Sequence, residues 1–177
     1  DATITPRLYL KRGVLLNGMF RYLLPKTEGD FRAGFIPQDR LFKKFQKKAP
    51  RKYPTQPGLV KELQDISNNR AAFSWKNKAR LNDHWSSKIA ANYVTDDYYM
   101  QDFGSLPATV NNDQLLNRAD VNYAGENWHF LGRVQMFQTL RLLTQNNPQD
   151  QYSRLPQLNL SADYPDQYLG MDYGLDS

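Results

Sequence analysis

The sequence predicts an all-β fold, an antiparallel up-and-down meander, on three observations. Apolar and polar residues alternate with a period of two along most of the chain, which is the pattern of a strand with two different faces. Short and long connections alternate between these segments. Aromatic residues concentrate beside the short connections, in a chain of 177 residues with eleven Tyr, nine Phe and three Trp.

The clearest alternation lies in RAAFSWKNKARL, residues 70–81. Phe73 and Trp75 belong to one alternating set, and Lys76 and Lys78 belong to the other. A strand with this pattern has one apolar face and one strongly basic face. What the apolar face contacts decides the class of the protein.

Eight strands and the start of a ninth are expected. They cover residues 2–11, 13–24, 30–35, 70–81, 85–93, 118–123, 128–136 and 158–164, and the ninth begins within 168–177. Helical periodicity is weak and confined to LVKELQDI at 59–66. An eight-stranded barrel can close alone, but the incomplete ninth strand predicts an excised part of a larger barrel.

The connections favour a membrane barrel over a soluble sheet. Long loops are expected at 38–69, 95–117 and 141–154, and short turns at 25–30, 82–84, 124–127 and about 165–167; only the first hairpin, at residues 11–13, breaks the alternation. In a meander, this alternation places the long loops at one end, as in outer-membrane barrels with their long outer loops and short periplasmic turns. A soluble antiparallel sheet with one solvated face produces the same residue alternation and stays open as an alternative.

The two faces are assigned on the barrel interpretation. The apolar face is expected to contact lipid and to carry an aromatic girdle near the short turns, although Asn77 on this face argues against the assignment. The polar face is expected to line a wet lumen. The lipid-facing and girdle residues are Tyr22, Phe73, Trp75, Trp85, Tyr123, Trp128 and Tyr164. The lumen-facing basic wall consists of Lys76, Lys78, Arg80, Lys88, Arg118 and Arg133.

The excess positive charge is local. The chain carries a formal charge of +5, and its basic residues concentrate in RLFKKFQKKAPRKYP, residues 40–54. Lys and Arg interleaved with aromatic residues can bind nucleic acid or anionic lipid, and the alternative is a solvated loop punctuated by proline. In an outer loop, the nearest anions are phosphates of the outer leaflet. The residues of this basic loop are Lys43, Lys44, Lys47, Lys48, Arg51 and Lys52.

The sequence indicates no enzyme, cofactor or metal site. The chain has no cysteine, which excludes internal disulfides and thiolate metal sites. Asp96, Asp97 and Asp102 are carboxylates of the kind that hold Ca²⁺, but their spacing does not match a calcium loop. A cap packed by the aromatic residues around them is the favoured interpretation. No apolar run is long enough for a transmembrane helix and no signal peptide opens the chain, so an exported protein would be represented here by a mature or internal piece.

Four stretches resemble the LptD family of lipopolysaccharide (LPS) assembly proteins, formerly called OstA or organic solvent tolerance proteins. They are DATITPRLYLKRG at 1–13, FRYLL at 20–24, YVTDDYYMQDFGS at 93–105 and RLPQLNLSADY at 154–164. Their order and spacing also match the family, and the resemblance extends over nearly the whole chain.

The resemblance implies an LPS translocon of the bacterial outer membrane. In this family a periplasmic jelly-roll domain receives LPS from an LptA-type bridge, and a very large barrel holds the plug lipoprotein LptE. Residues 1–177 are expected to form an early section of that barrel, without the jelly roll or the lateral gate. The implied partners are LPS, the plug, membrane lipid and, through the missing N-terminal domain, the bridge; no nucleic acid is implied. The basic wall would suit passage of an anionic glycan, or it would hydrate the lumen or contact the plug.

Two other functions remain open from the sequence. A passive outer-membrane porin would share every strand feature, and only the family motifs argue against it. A soluble β-sheet module could bind an anionic polymer through the basic loop. Dependence on detergent separates the soluble module from both barrels.

Overall fold

The strands form one antiparallel sheet in the order of the chain. The computed structural model describes residues 1–104, 109–111, 114–143, 154–167 and 171–176. The strands are β1 (Ala2–Tyr9), β2 (Gly13–Leu24), β3 (Thr27–Ile36), β4 (Arg70–Arg80), β5 (Trp85–Val94), β6 (Thr109–Asn111), β7 (Gln114–Ala124), β8 (Trp128–Thr139), β9 (Arg154–Gln167) and β10 (Met171–Asp176). Their order in the sheet is β1-β2-β3-β4-β5-β7-β8-β9-β10, and the short β6 pairs with β7. The predicted all-β meander is confirmed.

Two turns differ from the prediction. The turn between β2 and β3 contains only residues 25–26, so it is tighter than the expected 25–30. No turn lies at 165–167, because β9 continues through Pro165 to Gln167, where it pairs with Met171 of β10. A proline removes one ladder donor but does not by itself end an extended strand.

The long connection after β3 contains two helices, α1 (Arg40–Lys52) and α2 (Pro57–Asp65). The expectation of a solvated basic loop over 40–54 is therefore wrong, since most of this segment is α1. Asp39 caps α1 by accepting hydrogen bonds from the backbone N–H groups of Leu41 and Phe42, both at 3.0 Å. All six predicted loop residues, Lys43, Lys44, Lys47, Lys48, Arg51 and Lys52, lie in this helix and are exposed. The weak helical pattern at 59–66 corresponds to α2.

A third helix, α3 (Tyr99–Phe103), lies in the connection after β5. None of the helices in the described part of the chain has the length and apolar character needed to cross a membrane.

The long connections meet at one end of the sheet, together with the tight first turn. Arg12 in that turn contacts Asp39 before α1 and Asp102 in α3. The backbone N–H of Leu143 donates to the hydroxyl of Tyr98 at 2.9 Å, which joins the connections after β5 and β8. We call this the long-connection end, and the opposite one the short-turn end.

The register gives the sheet two continuous faces, because directly paired residues project to the same side. Trp75 pairs with Phe31 and Ala91, whereas Lys76 pairs with Asp30 and Ala90. The apolar face includes Ile4, Leu16, Phe20, Phe31, Phe73, Trp75, Tyr93, Val121, Tyr123, Val134, Leu158 and Leu160. The polar face includes Asn17, Asp30, Arg32, Ser74, Lys76, Lys78, Lys88, Asp120, Leu131 and Arg133.

The core lies on the polar face at the long-connection end. Tyr99 and Met100 of α3 cover Leu15, Ile36 and their neighbours on the strands. A Cβ atom on Gly34 would lie 2.2 Å from the Tyr99 hydroxyl, so only glycine allows this approach. A second cluster joins the helices to the other long connections and contains Phe42, Ala49, Val60, Leu63, Tyr98, Leu142 and Leu143.

Candidate functional site

The six residues of the predicted basic wall lie on one face of four adjacent strands. Lys78 of β4 is paired with Lys88 of β5, Lys88 with Asp120 of β7, and Asp120 with Arg133 of β8. Lys76, Arg80 and Arg118 occupy the same polar face of these strands. The meander therefore brings together side chains that are up to 57 positions apart in the sequence (76 to 133).

Carboxylates neutralise part of the positive charge of the wall. Arg118 and Arg133 both bind Asp120, at 2.5 Å and 3.0 Å, and this carboxylate is buried between them. Lys78 lies 3.2 Å from Glu28. Sequence reasoning missed these acids, although the register of the hairpins is the signal that would have found them. The polar face is a mixed-charge surface with a basic excess.

Asn77, the polar exception on the apolar face, donates hydrogen bonds to its neighbours through its amide nitrogen. Its Nδ2 donates to the hydroxyl of Tyr22 at 2.6 Å and to Oγ1 of Thr27 at 2.9 Å. The indole Nε1 of Trp75 donates to the same Tyr22 hydroxyl at 3.2 Å. This group lies beside the turn at 25–26, at the short-turn end. Asn77 is therefore compatible with an otherwise apolar face.

We expect Tyr22→Phe to lower the free energy of unfolding by about 1–3 kcal/mol, because it removes a hydroxyl that accepts from two neighbouring donors. Chemical denaturation measures the change. Tyr93→Phe is the matched control, since Tyr93 lies on the same face and its hydroxyl makes no hydrogen bond within the described residues. An equal loss in both variants would contradict the role assigned to the Tyr22 hydroxyl.

The predicted girdle residues form ring contacts near the short-turn end. The ring centroids of Trp85 and Tyr123 are 5.1 Å apart. Those of Trp128 and Tyr164 are 6.2 Å apart, and the Trp128 Nε1 donates to the Tyr164 hydroxyl at 2.6 Å. Tyr22 lies on the same face, beside the turn at 25–26. Amphipathic rings in such a row have the chemistry of a membrane–water interface.

A buried ionic cluster at the long-connection end was not predicted. It consists of Arg12, Asp39, Arg70, Asp96 and Asp102. The guanidinium of Arg70 is fully buried and donates to both carboxylate oxygens of Asp96 at 2.8 Å. It also donates to Asp39 at 2.8 Å and to Asp102 at 2.7 Å. Arg12 donates to Asp39 at 2.7 Å and to Asp102 at 2.5 Å.

Aromatic rings enclose the ionic cluster. The guanidinium carbon of Arg70 lies 4.2 Å from the ring centroid of Phe42 and 5.0 Å from that of Phe103, a favourable arrangement for a cation. Burial opposes ionisation of Asp39, but the Phe42 N–H and the two guanidinium groups outweigh it, so the pKa of Asp39 is lowered. The cluster ties the first turn, α1, β4 and α3 into one unit.

The carboxylates that suggested a calcium site have a different role. Asp96 and Asp102 bind Arg70, and Asp96 also accepts a hydrogen bond from the backbone N–H of Tyr98 at 3.0 Å. Within the described residues, no group of three His, Asp or Glu side chains is arranged to hold a metal ion.

The chain matches known proteins over most of its length. The family model for LptD, described as LPS transport system D, matches residues 68–177. The LPS-assembly protein LptD of Coxiella burnetii is 36% identical over 190 residues, which cover 100% of this chain and 22% of that protein. The protein of the same name from Legionella pneumophila strain Paris is 36% identical, covering 94% of this chain and 19% of the relative. For Nitrosococcus oceani the identity is 33%, with 97% and 20% covered. The chain thus spans about a fifth of the length of the curated relatives it matches.

Proposed function

Since the chain belongs to the LptD family, we propose that it forms an early section of an outer-membrane β-barrel that moves LPS into the outer leaflet. The long-connection end would lie at the cell surface and the short-turn end in the periplasm. No chemical step is assigned to the chain, and the energy for LPS movement comes from elsewhere in the transport system.

The exposed apolar face is the observation that carries this proposal. Its side chains remain exposed along the sheet, for example Ile4 at 79%, Val134 at 43% and Leu158 at 66%. Soluble proteins rarely expose contiguous apolar patches larger than a few hundred Å². A lipid environment removes the free-energy cost of exposing this apolar surface to water. Contact with lipid also explains why the packed core is confined to the long-connection end. The soluble binding module is therefore disfavoured.

The polar face is proposed to line the wet lumen. Its charged side chains would be costly in lipid but are hydrated in a water-filled interior. The basic excess attracts a phosphorylated glycan, and the carboxylates of Glu28 and Asp120 divide the positive charge so that an anion is not held in one place. The alternative partner for the same wall is the plug lipoprotein.

The remaining partners are proposed by analogy with the family. We propose that the whole protein contains a barrel with an LptE-type plug and receives LPS from an LptA-type bridge through its periplasmic domain. These contacts lie outside the described residues, except where the plug would meet the polar face. A passive porin shares the two-faced sheet, and only the family relationship argues against it.

Site-directed photo-crosslinking in the full-length parent protein tests the proposal. One variant carries the photoreactive residue at Lys78 on the polar face, and the matched variant carries it at Trp75 on the apolar face, three positions away. We expect position 78 to capture LPS or the plug and position 75 to capture neither. Capture of protein at 75 with nothing at 78 would reverse the faces and overturn the barrel interpretation. Capture of the plug but never of LPS would favour a wall that only seats the plug.

A further inference from the structure

The exposed face of α1 carries a concentration of positive charge. We propose that α1 and the first turn bind the phosphate groups of a glycolipid in the outer leaflet. The inference rests on the proposed function, because it requires the long-connection end to lie at the cell surface.

Helical geometry separates the basic residues of α1 from its buried side. Phe42, Gln46 and Ala49 are buried and anchor the helix, and the Gln46 amide donates to the backbone carbonyls of Leu63 and Ile66 at 2.8 Å and 2.7 Å. At 100° per residue, the basic residues fall on the opposite side. They are Arg40, Lys43, Lys44, Lys47, Lys48 and Arg51, and all are exposed.

Among the residues that the structure describes, no carboxylate forms an ion pair with this basic face. Asp39 is the nearest acid in sequence, and it is buried against Arg12 and Arg70. None of the six basic residues forms an ion pair within the part of the chain that the structure describes. Like charges three and four residues apart destabilise a helix, and positive residues in its first turn oppose the helix dipole. An ordinary solvated face intersperses both signs of charge. A bound polyanion would relieve this repulsion.

An open groove of about 520 Å³ lies between α1 and the first turn. The apolar side chains of Leu10 and Leu41 line it, and Lys11, Lys43, Lys44 and Lys47 add ammonium groups. The backbone N–H of Arg40 donates to the carbonyl of Arg12 at 3.1 Å, which fixes the start of the helix against the turn. The groove therefore combines apolar contact with several mobile cations.

The groove continues the apolar face of the sheet. Leu8 and Val14 are paired on that face next to the first turn, and they are 72% and 42% exposed. Leu10 extends the apolar surface beyond the end of β1 and is 87% exposed. A ligand that fits both parts has acyl chains against the strands and phosphates against α1. A membrane-embedded phosphorylated glycolipid has this chemistry, whereas free phosphate uses only the basic part.

The test measures binding of bisphosphorylated lipid A to the full-length parent protein in phosphatidylcholine nanodiscs. The double variant Lys43→Gln/Lys47→Gln removes two charges from the groove. The matched control, Lys26→Gln/Lys61→Gln, removes two exposed charges elsewhere. Lys26 lies in the turn between β2 and β3, and Lys61 lies on α2. We expect the groove variant to bind about tenfold more weakly, with a smaller salt dependence, and the control to bind like the parent. Dephosphorylated lipid A should not distinguish the two variants.

Other results would overturn the site. Equally weakened lipid A binding in both double variants would indicate attraction by the overall positive charge. Unchanged binding in both would show that the groove does not bind lipid A. Displacement of the lipid by inorganic phosphate at millimolar concentration would indicate a free-phosphate site. Crosslinking at Lys78 in the same preparation keeps the two proposals separate. If position 78 captures no LPS while the two double variants still differ in lipid A binding, the result contradicts the proposed transport function but not the groove.

Discussion

Replacing Arg70 with Met is expected to destabilise the full-length parent protein by about 3–5 kcal/mol, because breaking a buried ion pair leaves an uncompensated charge. Arg70 is the cation that pairs with Asp96, whereas Asp39 and Asp102 retain Arg12. Asp96 would therefore stay buried without a charged partner. Chemical denaturation in detergent measures the loss, and limited proteolysis reports whether α1 and α3 detach first.

Arg32→Met is the matched control for this prediction. Arg32 pairs with Asp30 at 2.8 Å, but its side chain is 43% exposed, so the same substitution should cost about 1 kcal/mol or less. Adding Asp96→Asn to Arg70→Met should recover part of the stability, since it removes the uncompensated charge. Equal stability of the Arg70 and Arg32 variants would show that the ionic cluster does not hold the long-connection end together.

Introducing Arg at Val134 is expected to cost about 2–4 kcal/mol in a lipid bilayer, the range for a basic residue near the midplane on the lipid face of a barrel. Val134 lies in the middle of β8, paired with Ala119 on the apolar face. The folded fraction recovered in liposomes and the unfolding midpoint measure the effect. In the water-filled lumen the same charge would be hydrated.

Leu131→Arg supplies the comparison on the opposite face of the same strand. Leu131 is also aliphatic, but it is paired with Asn122 and Asn159 on the polar face, so we expect a change within about 0.5 kcal/mol. A larger cost at Leu131 than at Val134 would reverse the assignment of the faces. Equal small costs would indicate that neither face meets lipid.

The strands were predictable because alternation is a local property. A side chain in a strand projects opposite to its neighbour, so Phe73 and Lys76 are assigned to different faces without knowledge of any partner strand. The strand order followed from the connections, because short turns join antiparallel neighbours. The end of β9 was misplaced because Pro165 resembles a turn signal, whereas pairing with β10 continues the strand to Gln167.

The helix α1 was missed because its charge dominated the pattern. The buried residues Phe42, Gln46 and Ala49 have helical spacing, but one of the three is polar and Pro50 lies inside the helix. The cap by Asp39 and the bonds from Gln46 to α2 stabilise a helix that its own residues would not stabilise strongly. The sequence predicts the basic character of this segment but not its helical structure.

The sequence by itself determined the meander, the two faces and the family, because each depends on spacing or on short motifs. Only the tertiary structure decided which charges are neutralised and which stay free. Arg12 and Asp102 are 90 residues apart, and no local pattern relates them to Arg70 or Asp96. They meet because the meander returns the chain to the same end of the sheet, where burial makes pairing obligatory. Within the described residues the exposed basic residues of α1 form no ion pair, because Asp39, the nearest acid in sequence, is already bound to Arg12 and Arg70.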